Sequence, residues 1–193
     1  MPVKKVPMIN EEINTNETNL IETLGEENHS MSLTQENMLS LIELFFFAYR
    51  DFTEEGDEIL DTFGFGRAHH RVIHFVHHYP GLRVADLLGI LKITKQSLAR
   101  VLKQLIEQDF ICQKEGSKDR RERLLYTTDK GNKLAKELAE PQINRFEATM
   151  SQFSKSEQKL FENFLFKLIR QSNRQDVISL MAQNGHFPDG KPD

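Results

Sequence analysis

Residues 94–131 read TKQSLARVLKQLIEQDFICQKEGSKDRRERLLYTTDKG, and the spacing of apolar residues changes along the stretch. Leu98, Val101, Leu102, Leu105 and Ile106 recur at helical intervals, while Lys95, Gln96, Arg100 and Lys103 share the other face. Phe110-Ile111-Cys112 then predicts a short strand, and Leu124-Leu125-Tyr126 predicts its return. Between them lies a basic, glycine-containing tip, Gly116-Ser117-Lys118-Asp119-Arg120-Arg121. A helix with polar, base-reading side chains followed by a basic hairpin outlines a winged helix-turn-helix. The helix is suited to the major groove and the hairpin to the backbone or minor groove.

The residues upstream complete that motif. Pro80-Gly81 signals a turn, and Val84, Leu87, Leu88 and Leu91 form one apolar stripe. Lys92-Ile93 makes a tight connection to Thr94, whose hydroxyl can cap the next helix. Val84–Leu91 is thus expected as the supporting helix and Lys95–Gln108 as the recognition helix, with Ile93 plugging the core between them. A charged helix face alone signifies only a solvated surface; here it is joined to the turn spacing and the basic hairpin. Gln96 can pair with adenine, Arg100 with guanine, and the Ala99 methyl can touch a thymine methyl. Lys103, Ser117 and Lys118 suit phosphates, which position without specifying. Thr94, Ser97 and Arg120 complete the expected DNA-facing set.

At these residues the stretch from about Gly64 to Gly131 resembles the MarR family of bacterial transcription regulators. The family's wing carries an Asp-x-Arg pattern, here Asp119-Arg120-Arg121, and enters the next helix through Leu-Thr-x-x-Gly. This chain has Thr127-Thr128-Asp129-Lys130-Gly131, with Thr127 in place of the leucine and the Thr128 cap retained. Arg83 also departs from the family, standing where a Thr or Ser cap is usual. The resemblance implies that Arg121 enters the minor groove and that Asp119 braces an arginine so that the tip keeps its shape; a simple exposed Asp119–Arg121 pair is compatible with this. It further implies a homodimer built from the first and last helices. The phenylalanine-rich segments, including Leu41, Phe45, Phe161, Phe164, Leu165 and Leu168, exceed what a roughly 70-residue winged helix covers and are expected at that interface. A two-fold dimer matches a palindromic operator.

The net charge of −4 looks unsuited to DNA until it is divided. Residues 83–131 carry 11 basic and 7 acidic side chains, a local excess of +4, whereas residues 33–66 carry 1 basic and 8 acidic, −7. Positive charge gathers where the motif lies. The single cysteine precludes an intramolecular disulfide and fits a reducing, cytoplasmic setting. No apolar run approaches the roughly 20 residues of a membrane-spanning helix, and no secretion signal is visible at the N-terminus, so no membrane partner is expected.

The outer segments follow the same reading. Residues 1–31 are expected as a disordered acidic tail, residues 32–181 as the winged-helix domain with its dimerisation helices (DNA-binding core about 67–131), and residues 182–193 as a flexible tail. Ser32-x-x-Gln35 predicts a capping box opening a long helix to about Phe63, striped by Leu41, Leu44, Phe45, Ala48, Phe52 and Ile59 and interruptible at Gly56. Gly64-Phe65-Gly66 reads as a flexible link and Arg67–Tyr79 as a helix. Asp129–Met150 is expected as a helix kinked at Pro141. Ser154-x-x-Glu157 opens another, and a short last helix is expected over Asp176–Met181. The fold class is therefore mainly α with a small β-hairpin wing.

Five histidines lie within residues 67–78, and His70, His74 and His77 share one side of the helix. Three readings stand: a packed polar face, an effector pocket or pH-responsive contact for a small molecule or proton, or a metal site. The first two are preferred, because no thiolate or fixed third ligand lies near in sequence. Cys112, between apolar neighbours, reads as a buried small hydrophobe. No catalytic constellation, phosphate loop or cofactor motif is present, so an enzyme is not expected. The expected function is sequence-specific transcription regulation on double-stranded DNA. The rivals are a ligand-, pH- or metal-responsive switch on the same fold, and a winged-helix protein-interaction module that reads no DNA.

Overall fold

A computed structural model describes residues 34–116, 119 and 121–183. The expected tails, except for residues 182 and 183, the Ser32 cap, and Ser117, Lys118 and Arg120 lie outside the described residues. Among those described, the helices are α1 (Gln35–Asp61), α2 (Arg67–His78), α3 (Val84–Leu91), α4 (Lys95–Glu107), α5 (Asp129–Met150), α6 (Lys155–Leu168) and α7 (Gln171–Ala182). The strands are β1 (Leu82–Arg83), β2 (Ile111–Glu115) and β3 (Arg123–Thr127). The chain divides into two compact units at Phe47–Ala48. The described part of the first is the opening of α1, where Leu41, Leu44 and Phe45 are exposed. Its cap is Thr34, whose hydroxyl accepts from Asn37 N–H at 3.3 Å.

The second unit is built around α2. Val72, Ile73 and Val76 are fully buried, and the cluster about them takes Leu60, Leu87 and Leu91, the α4 stripe Leu98, Val101, Leu102 and Leu105, and Phe110, Ile111, Leu125, Leu134 and Leu138. Ile106, expected in the α4 stripe, is 37% exposed because it lies at the edge of that face. Gly56 does not interrupt α1. It is buried there, beside the His70 ring, which lies at ordinary contact distance of 3.6 Å from where a Cβ would stand. The Gly64–Gly66 link is likewise anchored: Phe65 is buried, stacks on the His69 ring at 4.5 Å and meets Phe110 edge-on at 5.3 Å.

The wing belongs to a three-stranded antiparallel sheet in the order β1-β3-β2. β1, too short to show a periodicity, pairs Leu82 with Leu125 and Arg83 with Leu124. Across β2 and β3, Ile111 faces Thr127 and Glu115 faces Arg123. Cys112 is only half-buried, opposite Tyr126, because its face of the ladder is partly open. α5 runs on through Pro141, and α7 is a turn longer at its start than the sequence suggests, with Arg174 Nε donating to Ile169 O at 3.0 Å. Ser154 and Glu157 form the expected capping box of α6.

The junction of α4, β2 and α5 is the tightest point. Asp109, at φ 60, turns the chain after α4. Thr128 N–H donates to Phe110 O at 3.1 Å, and the Thr128 hydroxyl donates to Asp109 O at 2.6 Å while accepting from Gly131 N–H at 3.1 Å. A Cβ on Gly131 would lie 2.0 Å from Phe110 O, a backbone atom that cannot step aside. Gly131→Ala is therefore expected to destabilise the protein by at least about 2 kcal/mol, in the range of overpacked cores, read as a lowered urea midpoint with unchanged slope.

Candidate nucleic-acid interface

α4 separates two chemistries by its period. Its apolar stripe is sealed in the core, and Lys95, Gln96, Ala99, Arg100 and Lys103 are exposed on the other side. Thr94 caps the helix, accepting from Ser97 N–H at 3.1 Å, and its hydroxyl also donates to Ser97 Oγ at 2.9 Å. Both hydroxyls thus stand at the entry to the exposed face, with Ser97 half-buried. Lys103 approaches Glu107 one turn on, at 3.7 Å. An exposed pair of this kind is worth only about 0–1 kcal/mol and leaves the ammonium available. The connection from α3 turns at Lys92, which takes the left-handed conformation at φ 51, and Ile93 packs against the core beneath it.

The wing tip is shaped by backbone bonds. Gly116 N–H donates to Glu122 O at 3.1 Å and Glu122 N–H to Asp119 O at 3.0 Å. A Cβ on Gly116 would lie 2.6 Å from Asp119 O, so the turn admits only glycine without a shift. Asp119 Oδ1 accepts from the main-chain N–H of Arg121 at 2.9 Å, a bond that does not involve the guanidinium. Arg121 itself is exposed.

Arg83, which replaces the usual cap, serves two elements. Asp86 Oδ2 accepts from Arg83 N–H at 3.3 Å, which satisfies the main-chain donor at the head of α3 although no side chain caps its first turn. The guanidinium grips both Asp86 oxygens at 2.7 Å and donates to Glu122 Oε1 at 3.1 Å, tying the start of α3 to the wing. Hydrogen bonding to Arg83, and then its charge, holds the Asp86 carboxyl below the usual range. Sequence reading missed this clamp because Glu122 lies 39 residues from Arg83.

On α2, the candidate effector residues diverge in their partners. His77 Nδ1 lies 3.0 Å from Asn132 Oδ1, which also accepts from the Thr127 hydroxyl at 2.6 Å. The departure at Thr127 therefore has a use: it bonds α5 to the sheet beside α2. His70 lies against Gly56, and burial lowers its pKa against the opposing pull of Asp57. His74 is exposed as a residue, but its ring is crowded by His78 at 4.6 Å and Phe75 at 5.2 Å. That partial burial, followed by the like charges of His78, His70 and His77, pushes it down to about 4. Among the described residues, no three His, Cys, Asp or Glu side chains converge to hold a metal ion. His69, which sequence reading passed over, is the buried histidine. Its Nδ1 accepts from Gly66 N–H at 3.1 Å, and its Nε2 meets Gln104 Oε1 of α4 at 2.8 Å. Gln104 sits at a helical interval from the exposed set yet turns inward, a signal that periodicity alone does not carry.

The arrangement has counterparts among known proteins. Residues 63–122 match the sequence profile of the MarR family. The HTH-type transcriptional regulator PetP of Rhodobacter capsulatus is 49% identical over 116 residues, spanning 60% of this chain and 70% of PetP. The crystal structure of MarR is 20% identical at a TM-score of 0.54, covering 78% of this chain and 99% of that one. The MepR–DNA complex of S. aureus is 18% identical at a TM-score of 0.52, covering 72% and 98%. The two structures, at such identities, establish the shared winged-helix fold, and the likeness to PetP over most of that regulator's length establishes the rest: the chain belongs to the MarR family of transcription regulators.

Proposed function

We propose that the protein regulates transcription as a homodimer that binds double-stranded DNA by sequence, with α4 in the major groove and the wing at the minor groove. The observation that carries this reading is the division of α4, whose polar face is open while its apolar face is sealed. On this reading Gln96, Ala99 and Arg100 touch base edges, and Thr94, Lys95, Ser97 and Lys103 hold the backbone. Arg121 enters the minor groove, and on the sequence pattern alone Ser117 and Lys118 hold phosphates while Arg120 completes the DNA-facing tip. MepR of S. aureus, of similar fold, has been crystallised in complex with DNA.

The homodimer reading rests on uncovered apolar surface. None of the α6 residues is buried. Leu160, Phe164 and Leu168 are 68%, 56% and 59% exposed, and the opening of α1 leaves Leu41 and Phe45 similarly open. A monomer rarely tolerates so many large apolar side chains in water, and a second copy with the same faces would cover them as a two-fold dimer.

Selection of genomic fragments by the purified protein tests the function as a whole, and failure to enrich any duplex would refute it. Arg100→Ala and Arg121→Ala should each cost about 1–3 kcal/mol of discrimination with unfolding unchanged. Lys118→Ala should weaken all duplexes alike and flatten the salt dependence by about one unit. Unaltered operator preference in Arg100→Ala would mean that the reading face is misassigned.

Removal of residues 154–193 is expected to give a monomeric or aggregated product on sedimentation, and a well-folded truncated dimer would contradict the interface. His74, held near pH 4 against an ordinary 6.5, leaves the folded protein neutral at a site where the unfolded chain takes up a proton. Its contribution is fully present above about pH 6.5 and is lost as pH falls toward about 4. His74→Gln should flatten the acid decline in the urea midpoint across that window.

A further inference from the structure

The bonds of His69 fix its chemistry. A backbone N–H can only donate, so Nδ1, which receives Gly66 N–H, carries the ring's lone pair. In the neutral ring the proton therefore sits on Nε2 and points at Gln104 Oε1, 2.8 Å away. Phe65 stacks on the ring face at 4.5 Å, nearly parallel at 9°, and Phe65 is itself fixed by Phe110 just beyond the end of α4. The ring thus has one rotamer and one tautomer, and its single outward bond ends on the helix that carries the reading face. Gln104 lies one helical turn beyond Arg100. Rotation of α4 about its axis would break the bond before it disturbed the apolar stripe, because a hydrogen bond is directional and apolar contact is not.

We propose that His69 is a positioning residue that sets the rotation of α4, and so the aim of Arg100 and Gln96, through Gln104. This rests on the reading of α4 as the DNA-reading helix. His69 touches no DNA in this role. It acts from α2, buried, at the far side of the helix from the bases.

The test separates the two ring nitrogens. Nitrogen NMR of the intact protein should find Nδ1 unprotonated and Nε2 protonated, and the reversed pattern would overturn the proposal whatever the protein does with DNA. His69→Asn places an amide oxygen near the position of Nδ1 and falls short of Gln104, whereas His69→Gln places an amide N–H near the position of Nε2. The asparagine variant should lose about three- to tenfold in its preference for the selected operator over a scrambled duplex, the worth of one buried hydrogen bond. Its unfolding midpoint should fall, since the ring leaves its stack on Phe65 and the Gln104 acceptor loses its partner, and the glutamine variant should recover the preference. Gln104→Met removes the acceptor from the other side and should lose as much, with no further loss when combined with His69→Asn. Unchanged selectivity in Gln104→Met overturns the proposal even if His69→Asn fails to fold. A wild-type protein with the expected tautomer that selects no duplex overturns the reading of α4, and this role with it.

Discussion

The close approach of Gly131 to the Phe110 carbonyl is the constraint on which the winged-helix unit depends. With room for no Cβ there, the first turn of α5 seats directly on the backbone between α4 and β2. Thr128 closes the seat by bonding both Asp109 and Phe110. Lys130 covers it, its ammonium donating to Gln108 O at 2.9 Å and lying 4.2 Å from the centre of the Phe110 ring. The C-terminal end of α4, the root of the wing and the start of α5 thereby share one point. Any motion of α5 is transmitted there through backbone contacts, which have little give.

At that same point the aromatic residues converge. Phe63 and Phe65 both meet Phe110 edge-on at 5.3 Å, so the end of α1 and the entry to α2 lean on the chain that follows α4. Edge-to-face pairs of this kind add about 0.5–1.5 kcal/mol each beyond the area they bury. α4 is thus held at its last turn by packing and by the His69–Gln104 bond, while its opening turn is fixed by the Thr94 cap. These restraints act on separate parts of the helix, and together they leave its polar face rigid without engaging it.

Local signals carried much of this. The bounds of α3, the start of α4, the Thr128 and Ser154 caps and the whole of α5 follow from periodicity and capping chemistry, because those rules act within a few residues. The wing strands also follow, through apolar runs flanking a glycine. What escaped was non-local. β1 is two residues long and exists only because β3 offers it partners. Gly64-Phe65-Gly66 has the composition of a loose link, yet Phe65 is fixed by rings more distant in sequence. Gly56 reads as a helix breaker, yet it lies buried within an uninterrupted α1. For the candidate site, the exposed residues of α4 were legible as a face. The Arg83–Asp86–Glu122 clamp and the inward Gln104 were not, since nothing in their spacing distinguishes them from solvated side chains.

The short strand β1 has a consequence for how the molecule comes apart. Its pairing of Leu82 with Leu125 closes a loop that contains α3, the turn at Lys92, α4 and most of the wing. Closing such a loop costs entropy that grows only slowly with its length, and once closed its members cannot separate without opening the strand pair. The elements inside the loop should therefore exchange their buried amide protons as a single cooperative unit. Helices α6 and α7, which bury none of their residues within one copy, lie outside this closure, so in a single copy local unfolding should begin there and reach the helix-turn-helix last.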